Sequence, residues 1–216
     1  MNSPTASYRT LARVAQRLRR MSGWRAPALP ALFLVTDPLR TPDPVGLAAR
    51  LPPGAGIIYR TFGDPGAAAT GRALMAVARR RSLVVLIGSD AALAAQLCAD
   101  GVHLPERSLN AASRLRARFP SWVITGAAHS ETALRRAASL DLDAALLSPA
   151  FESRSPSAGR PLGPVRFAKW VRSAQLPVFA LGGVNAVTAP RLIGSQAFGV
   201  ASIDGLVEVL KRTDGD

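Results

Sequence analysis

The sequence predicts an α/β fold, a (β/α)8 TIM barrel carrying an extra N-terminal helix, and three observations predict it. Eight short β-like runs recur, at residues 32–35, 56–59, 83–87, 101–104, 122–124, 144–147, 177–180 and 198–201. The stretches between them have room for one helix each, among them residues 65–80, 90–98, 130–140 and 164–173. The rival fold, an open doubly wound sheet, would carry a Gly-x-Gly-x-x-Gly turn after its first strand. None follows residue 35, and eight units close naturally into a barrel.

A chain of 216 residues suits one large domain, and barrels of this class run to that length. Ahead of the first strand, residues 8–21 place Leu11, Val14, Ala15 and Leu18 on one helical face, with Arg9, Arg13, Arg17 and Arg20 mostly elsewhere. Such a basic amphipathic helix is expected to pack on the outside of a domain rather than to lie on a membrane. The Pro-rich passage at residues 25–30 reads as an approach to the core. The expected division is therefore residues 1–30, basic helix and approach segment, and residues 31–216, barrel.

The net charge of +13 raises the question of an anionic partner. Nearly all of it is arginine spread through the helical segments, and aromatics, at 6%, do not interleave with it as a stacking platform requires, so nucleic-acid binding is disfavoured. The expected partner is a small-molecule phosphate, with association into a homo-oligomer left open. No run approaches the roughly 18 apolar residues of a membrane span, and no signal-peptide pattern is present, so a soluble, cytoplasmic protein is expected. The single cysteine, Cys98, allows no disulfide framework and sits in an Ala/Leu-rich pattern as core filler.

In such a barrel the residues just after each strand converge on one mouth. Those positions hold Asp37, Arg60, Gly88 with Ser89, Glu106 with Arg107, His129, Ser148, Gly182 with Gly183, and Asp204. His129 is the histidine placed for chemistry, because an imidazole exchanges protons near neutral pH. His103 alternates with Val102 and Leu104 within a strand and is expected to be structural. Gly182 and Gly183, between a strand and a helix start, would let backbone amides approach a phosphate, although paired glycines also make ordinary turns. On that reading Gly183→Val should weaken phosphate binding in a folded barrel. Asn185 or Thr188 could start the following helix. The loop at residues 151–163 sets Ser153, Ser155 and Ser157 beside Arg154 and Arg160, a set suited to anionic oxygens and equally to a surface loop. No zinc spacing, nucleophile elbow or Mg²⁺ carboxylate set is encoded, so neither metal nor cofactor is expected.

The runs Leu34-Val35-Thr36-Asp37, Asp100-Gly101-Val102-His103-Leu104, Gly126-Ala127-Ala128-His129-Ser130, Ser148-Pro149-Ala150-Phe151, Phe179-Ala180-Leu181-Gly182-Gly183-Val184 and Gly199-Val200-Ala201 together resemble the thiamine phosphate synthase and TenI superfamily of (β/α)8 barrels. The resemblance implies a role in thiamine biosynthesis. It also shows departures from the synthase pattern. The family's Gln-x-Arg-x-Lys reads Ile58-Tyr59-Arg60-Thr61-Phe62, its Asn-Asp pair reads Gly88-Ser89, and its second metal-binding Asp falls on Ser108. Its Thr-x-Thr-Lys loop reads Ser153-Arg154-Ser155-Pro156, and the serine closing its last phosphate loop is Asp204. What the resemblance keeps is a thiazole-phosphate pocket.

The leading expectation is accordingly a metal-independent, TenI-like thiazole tautomerase. His129 would be the general acid/base, Arg60, Ser153 and Ser155 would contact substrate, and Gly182 and Gly183 would cradle the phosphate. Asp204 would repel that phosphate unless it turns away or pairs with an arginine. The alternatives are a thiamine phosphate synthase, joining a pyrimidine diphosphate to a thiazole phosphate, and a non-catalytic barrel that binds ligand and regulates.

Overall fold

A computed structural model describes residues 4–155 and 159–211. Eight parallel strands close into a barrel in strict chain order: β1 (Leu32–Val35), β2 (Gly56–Tyr59), β3 (Val84–Gly88), β4 (Gly101–Leu104), β5 (Val123–Ala128), β6 (Ala144–Leu147), β7 (Val178–Ala180) and β8 (Gly199–Ser202). Closure is made by β1 pairing with β8, Phe33 opposite Ala201. The helices are α1 (Pro4–Met21), α2 (Pro44–Arg50), α3 (Ala67–Arg81), α4 (Ala91–Leu97), α5 (Ala112–Arg118), α6 (Glu131–Ala138), α7 (Gly163–Ser173) and α8 (Asp204–Lys211).

Alternation along each strand separates two apolar layers. Phe33, Val35, Ile58, Leu86, Leu146, Phe179 and Ala201 point inward and fill the barrel. Leu34, Ile57, Val85, Val102, Ile124 and Val200 point outward against the helices. Space for the inner rings comes from glycine: a side chain at Gly56 would overlap the ring of Phe33, and one at Gly199 would overlap that of Phe179. Phe33 and Phe179 meet edge to face with centroids 5.2 Å apart, and Leu29, from the approach segment, joins this inner cluster at the barrel's lower end.

Helix α1 buries Leu11, Val14, Ala15 and Leu18 and exposes Arg9, Arg13, Arg17 and Arg20, as its periodicity predicts. It packs against α8 and the β1 and β8 strands. Its apolar face is thus used inside the molecule, and among the described residues no helix is long and apolar enough to cross a membrane.

Three expectations need correction. Strand β5 does not end at Ile124 but runs on to Ala128, because Gly126, Ala127 and Ala128 pair in register with Ala145, Leu146 and Leu147. The lack of a side chain at Gly126 admits the methyl groups of Leu109 and Leu142, so the small residues here serve packing within the strand. The segment after β7 forms only a short 3-10 turn, Ala189–Leu192, where a full helix was expected; Gly194, at φ +88°, ends it. Cys98 is not core filler. It is exposed at the C-terminal end of α4 with φ +51°, and its backbone N–H closes the helix onto Ala94 and Ala95.

Candidate active site

The strand ends surround one cavity of about 780 Å³, within the size range of small-molecule sites. His129, Arg60, Ser153, Ser155, Gly182 and Gly183 all lie on its wall. Ser157 falls outside the described residues.

His129 follows β5 immediately and is oriented by a residue that strand-end reasoning had noted without assigning a role. Glu106, two residues beyond β4, accepts two hydrogen bonds through one oxygen: from the His129 backbone N–H at 2.8 Å, and from the imidazole Nδ1–H at 2.7 Å. The carboxylate thereby selects the Nδ1–H tautomer and leaves Nε2 as the nitrogen available to a ligand. The imidazole stays accessible, with 54% of its side chain exposed. The signal in the sequence is only that both residues follow adjacent strands.

His103 points into the barrel, as its alternation predicts, and its Nδ1 lies 3.0 Å from the Thr125 hydroxyl. Burial pushes its pKa down to about 3, the charges of Arg60 and His129 adding to the effect. It is therefore neutral in the folded protein, whereas the unfolded chain takes up this proton below about pH 6.5. The stability it contributes is complete above about pH 6.5 and falls as pH drops toward 3, by up to roughly 1.4 kcal/mol per pH unit. Urea midpoints at pH 7, 5 and 4 should decline more steeply for the parent than for His103→Gln; equal slopes would show that His103 does not govern acid sensitivity.

Arg60 is clamped rather than free. Its backbone N–H donates to the Thr36 hydroxyl at 2.9 Å, its Nε to the Thr36 carbonyl at 2.6 Å, and its Nη2 reaches Asp37 at 3.4 Å. Burial lowers its pKa from the usual arginine range, opposed by the charge of Asp37. Asp37 also holds Arg40 at 3.2 Å. Partial desolvation raises the Asp37 pKa, but the hydrogen bonds and charge of Arg40, with Arg60 behind them, outweigh it and hold the carboxyl below its ordinary range. Arg40 continues to Asp204, 3.4 Å away. Asp204 thus has an arginine partner, which offsets its repulsion toward an anion.

Gly182 and Gly183 adopt φ of +87° and +64°. Among the described residues their own N–H groups donate to no protein group, so both are available to an anion. Neighbouring loops converge on the pair: a Cβ on Gly182 would press on Pro149, and one on Gly183 would overlap the Glu152 carbonyl and the Phe151 backbone. The expected clean effect of Gly183→Val on ligand binding is therefore corrected, because that change also displaces the loop after β6. Asn185 and Thr188 do not start an α-helix. Asn185 Oδ1 accepts from the N–H groups of Val187 and Thr188, and the Thr188 hydroxyl donates to Gly183 O at 2.8 Å, fixing the loop instead. The start of α8 meets the same loop, since a side chain on Gly205 would overlap the Val184 carbonyl.

In the loop after β6, the Ser155 N–H donates to Ser153 Oγ at 3.3 Å, while Arg154, also on the cavity wall, pairs with Glu208 at 2.7 Å. Opposite, Gly88, Ser89 and Arg107 line the cavity. Asp90, also there, spends one oxygen capping α4 through the Leu93 N–H at 2.8 Å. Among the described residues no three His, Cys, Asp or Glu side chains converge. Three of the four carboxylates that the described residues bring to the wall are already engaged, Asp90 in capping α4, Asp204 with Arg40 and Glu208 with Arg154, which makes the set a poor fit for Mg²⁺.

The family model described as thiamine monophosphate synthase matches residues 44–206. The chain is 32% identical over 202 residues to the thiamine-phosphate synthase of Alcanivorax borkumensis, covering 87% of this chain and 88% of that protein. It is 34% identical over 190 residues to the thiamine-phosphate synthase of Methylobacillus flagellatus, covering 83% and 88%. Among solved structures, thiamine phosphate pyrophosphorylase from Pyrococcus furiosus superposes with a TM-score of 0.71 at 20% identity, over 87% of this chain and 95% of that one, a likeness of fold. With the family matched across most of the barrel, the chain belongs to the thiamine phosphate synthase and TenI superfamily of thiamine biosynthesis.

Proposed function

We propose that the cavity binds a thiazole phosphate and that the protein is a metal-independent tautomerase acting on the thiazole phosphate carboxylate. The observation that carries this reading is the His129–Glu106 pair, which leaves one imidazole nitrogen free at a cavity whose wall also carries the Gly182 and Gly183 N–H groups, donating to no other described residue. A phosphate on Gly182 and Gly183 would anchor the ring, and Nε2 of His129 would remove a proton at one ring position and return it at another, with no net change in atoms. Ser153 and Ser155 would contact the anchored substrate, and Arg60 would supply a fixed positive charge. No step in this reading passes through a metal.

The test is to incubate purified protein with the non-aromatic tautomer and follow its conversion by proton NMR, with and without Mg²⁺. Conversion at the same rate in both supports the reading; binding without conversion replaces it with a ligand-binding barrel. Within it, Glu106→Gln should lower kcat by roughly 10-fold or more with KM little changed, because the carboxylate orients and stabilises the imidazole that acts as base. A change confined to KM would make Glu106 a binding residue instead.

A second reading is favoured by the relatives, which carry the name thiamine-phosphate synthase. Under it the chain joins the pyrimidine diphosphate to the thiazole phosphate, with Arg60 and Arg107 facing the diphosphate. Formation of thiamine phosphate from the two precursors would establish it over the tautomerase.

A further inference from the structure

Across the mouth from the glycine pair, three strands away around the barrel, the loop after β2 holds a large apolar ring in an unfavourable place. Phe62 is 69% exposed and lies on the cavity wall. Its backbone φ is +49°, followed by Gly63 at +82°, and the turn is closed by the Asp64 N–H donating to the Thr61 carbonyl at 3.0 Å. Positive φ at both central residues is the pattern of a type I′ turn, in which Asn, Asp or Gly is normally preferred at the first position and a bulky residue is an outlier. Fold stability alone would select neither the exposure nor the backbone conformation, and their coincidence at a cavity edge points to a use for the ring.

One face of that ring is already covered. The Arg60 guanidinium lies 5.1 Å from its centroid, and Arg60 is itself fixed by Thr36 and Asp37. The phenyl is therefore backed by a clamped cation and offers its remaining surface to the cavity. A phenyl so placed favours a flat, uncharged ring laid against it, and it stands between Arg60 and any multiply charged group arriving from that side.

We infer that Phe62 is a specificity-determining residue that stacks on the substrate's heteroaromatic ring, so that the site selects phosphate esters bearing such a ring over aliphatic ones. The inference rests on the glycine cradle taking the phosphate, the reading proposed above. Ring and phosphate then engage opposite sides of the mouth, and His129, on a strand between them, faces the reacting part.

The test compares two probes by titration calorimetry: 4-methyl-5-(2-hydroxyethyl)thiazole phosphate and glycerol 3-phosphate. The parent should prefer the aromatic ester by roughly 10-fold, in the range of an aromatic stacking contact. Phe62→Leu should lose part of this preference. Phe62→Asn, which suits the turn, should abolish it while leaving glycerol 3-phosphate affinity unchanged and raising Tm slightly. The higher Tm separates loss of stacking from misfolding. If Phe62→Asn keeps the preference, or if the parent binds both esters equally, the inference fails and the cradle stands. If the parent binds neither ester, the cradle fails and this inference falls with it.

Discussion

His129→Asn should bind thiazole phosphate about as tightly as the parent and turn over the carboxylate tautomer roughly 10²- to 10⁴-fold more slowly, the usual loss on removing a general acid or base. Asparagine is close in size and can still donate toward Glu106, so the hydrogen bond now made by Nδ1 at 2.7 Å has a substitute and the mouth should keep its shape. What it cannot do is take up and release a proton. Calorimetry and single-turnover kinetics on the same preparation separate the two effects. A limb of the parent's pH–rate profile should vanish in the variant. A side chain that only packs would instead show weakened binding or a lower Tm with the pH profile intact, and that result would remove His129 from the chemistry.

Gly183→Val should destabilise the folded protein by roughly 2 to 4 kcal/mol, or about 5 to 15 °C in Tm, and abolish phosphate-ester binding. Two causes combine. At φ +64° a β-branched residue is strained whatever surrounds it. The added Cβ also overlaps the Glu152 carbonyl and the Phe151 backbone, so the loop carrying Ser153 and Ser155 must move away. Gly194→Val is the control: Gly194 has φ +88° but no neighbour within 4 Å of a built Cβ, so it measures the conformational cost alone. Equal loss in both variants, by thermal denaturation, would mean that close packing of the two loops contributes nothing.

The sequence by itself determined the barrel. Residues such as Phe33, Leu34 and Val35 carry an inside–outside alternation that needs only local chain geometry, and eight such runs with helix-length spacers leave little choice of closure. It also determined which residues stand at the mouth, His129 and Gly182 among them, because position after a strand is a property of chain order.

Only the tertiary structure decided how those residues are used. Glu106 reaches His129 across 23 positions, and Arg40 reaches Asp204 across 164, because adjacent strands and the β1–β8 closure bring distant loops together. The setting of Arg60 between Thr36, Asp37 and the ring of Phe62 was equally hidden, as was the contact that makes Gly183 a packing position as well as a backbone donor. Strand periodicity is short-ranged and repeats, so it is written in the order of residues. Side-chain pairing at the mouth depends on which loops meet once the barrel has closed, and no local pattern records that meeting.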